Sequence, residues 1–185
     1  MQHPLHTLFT ADWQTYTAAT PLSGWEANWL HNHGSLTESI RAVCTHGFRV
    51  QVLQHHFIPA PAYACEALGI ASGDSLLHRE VLLCDGDEPL VFACSLLPEA
   101  ALVGRYQALR ELGSRPLGHW IFSEPVLKRH RMEYARLPSD SPLFPEGLLP
   151  TDAAALHGRK TLFTGAEKPL LVSEFFLPAL ADYPR

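Results

Sequence analysis

The chain changes hydrophobic period several times, and each change marks an element. Ser23-Gly24-Trp25-Glu26 and Ser35-Leu36-Thr37-Glu38 both carry the S/T-x-x-E pattern of a capped helix start. After the first, Trp25 and Trp29 lie one turn apart with Leu30 beside them. After the second, Leu36, Ile40, Val43 and Cys44 form one stripe, and Gly47 is placed to stop the helix. The period then switches from helix to strand. Over Phe48–Phe57, Phe48, Val50 and Val52 alternate with Arg49 and Gln51. A Pro- and Ala-rich connector follows. Leu76–Cys84 and Leu90–Leu97 flank Asp85-Gly86-Asp87-Glu88, whose Asp-Gly step tolerates positive φ and predicts a hairpin.

Pro98 to Leu112 reads as a helix ending at Gly113, and His119–Phe122 as a short apolar turn. Val126–Leu137 is a long alternating strand. The proline-rich stretch 138–150 predicts an irregular loop or lid. Lys160–Thr164, a turn at Gly165–Lys168 and the strand Leu170–Leu177 close the pattern. Hairpin-joined strands with helices at the start and middle imply an α+β fold, one mostly antiparallel sheet with flanking helices. A single domain over residues 1–185 is expected, with residues 1–20 a loosely ordered N-terminal segment.

Two charges interrupt this pattern. Alternation puts Arg79 on one face with Leu77, Val81 and Leu83, and Glu174 on one face with Leu170, Val172 and Phe176. Burying a lone ion costs several kcal/mol or neutralises it, so each needs a partner. One reading pairs Arg79 with Glu174 inside the core. The other has both line an apolar pocket, Arg79 clamping a carboxylate and Glu174 meeting a hydroxyl or moving a proton. The residue pattern leaves both open.

Composition narrows the partners. Charged residues make up 18% and the formal net charge is −5, which argues against a nucleic-acid surface. No signal-like start and no run of ~20 apolar residues appears, so a cytoplasmic protein without membrane insertion is expected. Cys44, Cys65, Cys84 and Cys94 show no C-x-x-C spacing and read as reduced thiols. His31-Asn32-His33 and His55-His56 are close in sequence but lack metal-ligand spacing, and His55 and His56 point to opposite faces. No metal site is expected on that ground. Ser95 and Ser173 lack a nucleophile elbow, and no phosphate loop is present.

Five segments in order resemble the bacterial chorismate lyases, which make 4-hydroxybenzoate for ubiquinone. They are Ser35-Leu36-Thr37, the run Leu77–Cys84, the Asp85–Pro89 turn, Leu112–Gly118, and Lys168–Pro178. The resemblance covers most of the chain from about residue 20. It implies an antiparallel sheet around an internal ligand cavity, chorismate as substrate and no cofactor; a monomer is also expected. It also implies ligand-binding positions at Leu36, Arg79, Leu117 and Glu174, with Arg79 and Glu174 in the catalytic roles. Arg79 holds the ring carboxylate, Glu174 meets the phenolic hydroxyl, and Leu117 contributes backbone contact.

One position departs from the family pattern. Cys94 stands where the family commonly has an arginine. If that arginine steadies the second carboxylate, another cation must serve, and Arg49, Lys128, Arg129 and Arg131 are the candidates. The resemblance also carries an alternative, since the same fold serves as the effector-binding domain of some transcription regulators. Those normally carry an N-terminal DNA-binding domain, for which there is no room before Ser23. A relative acting on a different aromatic acid is the third reading.

Overall fold

The computed structural model describes residues 4–15, 24–30, 32–149 and 155–184. Ser23 of the first predicted cap and His31 lie outside them. Seven strands form one sheet: β1 (Gln14–Thr15), β2 (Phe48–Pro59), β3 (Ser75–Asp85), β4 (Glu88–Pro98), β5 (Lys128–Leu137), β6 (Leu156–Thr164) and β7 (Leu170–Phe176). Their order is β1-β5-β6-β7-β4-β3-β2, with every neighbour antiparallel. The helices are α1 (Thr7–Thr10), α2 (Trp25–Leu30), α3 (Leu36–Val43), α4 (Ala62–Leu68) and α5 (Leu117–Ser123). The α+β architecture is the expected one.

β3 and β4 are buried along almost their whole length because both sheet faces are covered. Behind the sheet, Leu5 and Leu8, α4, and Leu143 and Phe144 pack on Phe92, Leu96 and Phe175. Phe175 is fully buried, with Phe92 stacked on it at 6.2 Å and Phe144 edge-on at 5.2 Å between ring centroids. Such a ring contributes about 3–5 kcal/mol against truncation. The front face carries two smaller clusters. One sits under α2 and α3 with Val81, Leu83 and Phe176. The other sits under α5 and residues 99–112 with Leu77, Leu97 and Phe163.

The hairpin forms as predicted, with Gly86 at φ 59°. Its Asp85 ties the turn to the end of α3. The carboxylate accepts from the Thr45 and His46 amides at 2.8 and 2.6 Å and from the Tyr183 hydroxyl at 3.1 Å. Burial, reinforced by Asp85, pushes the Tyr183 phenol up to about 12. At the start of α3, the Ser35 hydroxyl accepts from the Glu38 amide at 3.3 Å, as the capping box requires.

Several local expectations fail for identifiable reasons. Residues 98–112 form two 3₁₀ segments, Glu99–Ala101 and Gly104–Glu111, because Gly104 takes φ 56° and breaks the α path. The Pro- and Ala-rich connector is a helix, α4, stopped by Gly69 at φ 60°. Residues 117–123 make a full helix, not a turn. α3 ends at Val43, before Gly47. Residues 4–15 of the segment expected to be loose are helical and extended, anchored by the fully buried Leu5 and Leu8. The irregular stretch 138–149 packs its apolar side chains behind the sheet, so it does not cover the front face as a lid would.

Candidate active site

The two front clusters do not meet. Between them lies a cavity walled by Val50, Val81, Leu83 and Ala93 on one side and by Leu117, Ile121, Phe163 and Val172 on the other. It encloses about 590 Å³ of atom-free space, its mouth included. Its roof comes from α3 and α5. Gly118 lets these helices approach closely, since a Cβ there would sit 2.7 Å from the Thr37 hydroxyl. Thr37, Ser95 and Thr161 bring hydroxyls to the wall, and Arg79, Arg129 and Glu174 bring charge. Everything else facing the cavity is apolar or backbone-like, so charge is concentrated on a few groups.

Arg79 is 2% exposed. Its guanidinium donates to the Gly113 and Arg115 carbonyls at 2.9 and 3.2 Å and to His55 Nδ1 at 3.2 Å. Because arginine only donates, His55 Nδ1 accepts, and His55 Nε2–H donates to the Arg110 carbonyl at 2.8 Å. These neutral acceptors fix the fork without cancelling its charge. Among the described residues no carboxylate lies within ion-pair distance of Arg79. Burial therefore lowers it to about 10, which still leaves it charged at neutral pH.

Glu174 does have an internal partner, and it is Arg159, not Arg79. Arg159 Nε donates to Glu174 Oε2 at 2.6 Å, and Arg159 is itself 1% exposed. Its Nη1 donates to the carbonyls of both Trp29 and Asn32, at 3.3 and 2.6 Å. The strand register sets this up, since Glu174 of β7 lies directly opposite Arg159 of β6. One carboxylate oxygen is thus committed, and Oε1 remains outside that pair. The core-pair reading of Arg79 with Glu174 is thereby replaced by a pair that pattern reading missed.

Arg129 enters from β5, which β6, β7 and β4 separate from the strand of Arg79. It donates to the His33 and Gly34 carbonyls and lies over the Phe122 and Phe163 rings at 4.9 and 5.9 Å. Its Nε is buried without a hydrogen-bond partner among the described residues. Burial and then Arg159 lower its pKa, while Glu174 opposes them.

Among the described residues neither Arg79 nor Arg129 forms an ion pair with a carboxylate, so the cavity suits a compact acid. The chorismate lyase family matches residues 7–183. The chain belongs to the chorismate lyase family. Proteins named probable chorismate pyruvate-lyase are similar throughout. The one from Methylococcus capsulatus is 38% identical, covering 85% of this chain and 97% of its own. The one from Thiobacillus denitrificans is 40% identical over 82% of each chain. The one from Pseudomonas putida is 36% identical over 91% and 89%. Among solved structures, the effector domain of PhnF from Mycobacterium smegmatis aligns with TM-score 0.57 at 20% identity, covering 80% of this chain and 91% of that one. A GntR-family regulator from Bacillus cereus aligns with TM-score 0.53 at 16% identity, covering 75% and 96%. These two likenesses concern the fold alone.

The positions implied by the chorismate lyase resemblance fall as follows. Arg79, Leu117 and Glu174 line the cavity. Leu36 is 1% exposed inside the cluster under α2 and α3, and its neighbour Thr37 reaches the wall instead. Cys94 faces the back of the sheet, between the cavity-facing Ala93 and Ser95, so its thiol adds nothing to the lining. Of the four candidate cations, only Arg129 lines the cavity. Arg49 bonds Gly86 and Asp87 on the hairpin, Arg131 pairs with Glu133 on the back face, and Lys128 is exposed.

Proposed function

We propose that this chain is a chorismate pyruvate-lyase that converts chorismate to 4-hydroxybenzoate and pyruvate. The observation that carries the reading is Arg79, a buried guanidinium without a carboxylate partner among the described residues, in one cavity with Glu174 and Arg129. Chorismate is a dianion. Arg79 clamps the ring carboxylate through its planar fork, and Arg129 faces the enolpyruvyl carboxylate from the opposite side. Apolar walls exclude water and strengthen both attractions.

The reaction breaks the ether C–O bond, and the adjacent ring carbon loses its hydrogen as a proton. The ring becomes aromatic and keeps the substrate's own hydroxyl as the phenol. The departing enolpyruvate takes a proton on its methylene carbon and becomes pyruvate. Glu174, with Oε1 outside the Arg159 pair, positions that hydroxyl or carries the proton. Arg159 holds the carboxylate at a fixed orientation between sheet and helix. The residues given roles bind and move a proton, and aromatisation supplies the driving force.

We place the enzyme in the cytoplasm as a monomer feeding 4-hydroxybenzoate to ubiquinone synthesis. In support, no helix among the described residues is long and apolar enough to cross a membrane. Glu174→Gln tests the mechanism. It keeps the shape of the side chain and should lower kcat by at least ~100-fold while 4-hydroxybenzoate still binds. Turnover at the parental rate would remove Glu174 from the chemistry.

A further inference from the structure

The back of the sheet holds a second group of chemically capable residues, on the same two strands as the cavity but facing away from it. His78 and Glu80 are two apart on β3 and so share a face. Cys94 lies on β4 directly opposite Glu80 in the register. His78 Nε2 is 2.9 Å from Glu80 Oε1, and one ligand atom from each residue lies within 4.8 Å of the others. The three are 4%, 5% and 1% exposed. Among the described residues, Glu80 has no ion-pair partner but His78. A buried carboxylate, an imidazole and a thiol converge here, where aliphatic side chains would pack at lower cost.

A second observation points at the same place. The Tyr63 hydroxyl, brought in by α4, is buried with no hydrogen-bond partner among the described residues. Burial and the nearby Cys94 sulfur raise its pKa. Tyr63 packs against the same back-face core that holds Cys94. On the other side, the exposed His56 ring meets the His78 ring edge-on at 5.7 Å between centroids. His56 sits on the edge strand β2.

We propose that His78, Glu80 and Cys94 form a zinc site that clips β3 to β4 behind the cavity. The donor set of one nitrogen, one oxygen and one sulfur suits a borderline-soft divalent ion with a water in fourth place. Bond lengths of about 2.0–2.3 Å place tetrahedral ligands about 3.3–3.8 Å apart. The His78–Glu80 hydrogen bond therefore opens slightly and the thiol closes in, both within side-chain rotation. Without metal, burial and then Glu80 hold the Cys94 thiol protonated. On binding, the S–H proton leaves to solvent, the Zn–S bond forms, and no redox change occurs. Arg79 and Ser95 alternate with these residues on the same strands, so the clip stiffens the strands under the carboxylate clamp. It takes no part in turnover.

The test uses the full chain loaded with Zn²⁺ or Co²⁺ and then dialysed into metal-free buffer. About one ion per chain should remain by elemental analysis, with a near-ultraviolet thiolate-to-cobalt charge-transfer band in the cobalt form. Loading should raise the melting temperature and release a proton near neutral pH. Cys94→Ser and His78→Gln should each lower retained metal at least ~10-fold, a typical loss for a ligand. Cys84→Ser, which changes another buried thiol, should retain it. A folded wild-type protein that keeps no metal overturns the proposal. So does a cobalt form without the thiolate band, or retention undiminished in Cys94→Ser. The wild-type spectrum decides the matter even if a variant fails to fold.

Discussion

Arg79 offers the sharpest separation between stability and function, through Arg79→Met. A guanidinium lowered from its ordinary value near ~12.5 to about 10 carries about 3 kcal/mol against its charged form in the unliganded fold. Removing the charge recovers that amount. Against it stand the Gly113 and Arg115 carbonyls and His55 Nδ1, which lose their donors at about 1 kcal/mol each. The two effects nearly cancel, so the urea midpoint of the free protein should shift by no more than about 1 kcal/mol in stability. The bound carboxylate has no such compensation. Losing a desolvated charge-assisted clamp costs about 2–5 kcal/mol, or roughly 30- to several thousand-fold in kcat/KM. Arg79→Lys keeps the charge but not the fork and should fall between. Equilibrium unfolding and chorismate turnover on the same preparations decide it. A loss above about 3 kcal/mol in stability with kcat/KM unchanged would show that Arg79 is a structural residue.

Gly118→Ala pushes a methyl into the Thr37 hydroxyl at 2.7 Å and narrows the roof. KM for chorismate should rise several-fold with little change in melting temperature, and an unchanged KM would mean that α3 and α5 do not shape the bound state. Asp85 titrates with a definite sign. Burial alone raises its carboxyl, but the Thr45 and His46 amides, the His46 ring and the Tyr183 hydroxyl outweigh burial and hold it well below the usual range. Its stabilisation is complete above the unfolded pKa of about 3.9 and is lost as pH falls through the depressed folded value. Asp85→Asn should lower the urea midpoint at pH 7 and flatten the loss of stability below about pH 4. An acid limb identical to wild type would contradict this.

Alternation along single strands was enough to find Arg79 and Glu174, because a charge in an apolar run needs no tertiary knowledge to stand out. Arg159 escaped because pattern reading begins the sixth strand at Lys160, whereas pairing extends it back to Leu156. The missing signal is Gly158, which has no side chain because the Phe175 ring lies against it. Only the partner strand shows that His157-Gly158-Arg159 is a buried strand and not a loop. Cys94 was misread for a related reason. Its place in the sequence suggested a hole in the cavity's charge, but its parity beside Ala93 and Ser95 turns it to the back face. There it meets His78 and Glu80, a grouping no linear spacing of His and Cys could reveal because the ligands come from two strands. Gly104 acts locally, interrupting a run of good helix formers with one residue of positive φ.

The central claim rests on one incubation, purified protein with chorismate, following 4-hydroxybenzoate and pyruvate together. Equal amounts of both products should accumulate at a rate proportional to enzyme, and the rate should collapse in Arg79→Met and Glu174→Gln. Tight binding of 4-hydroxybenzoate with no pyruvate released from chorismate would contradict it and leave an aromatic-acid binding protein on the same fold.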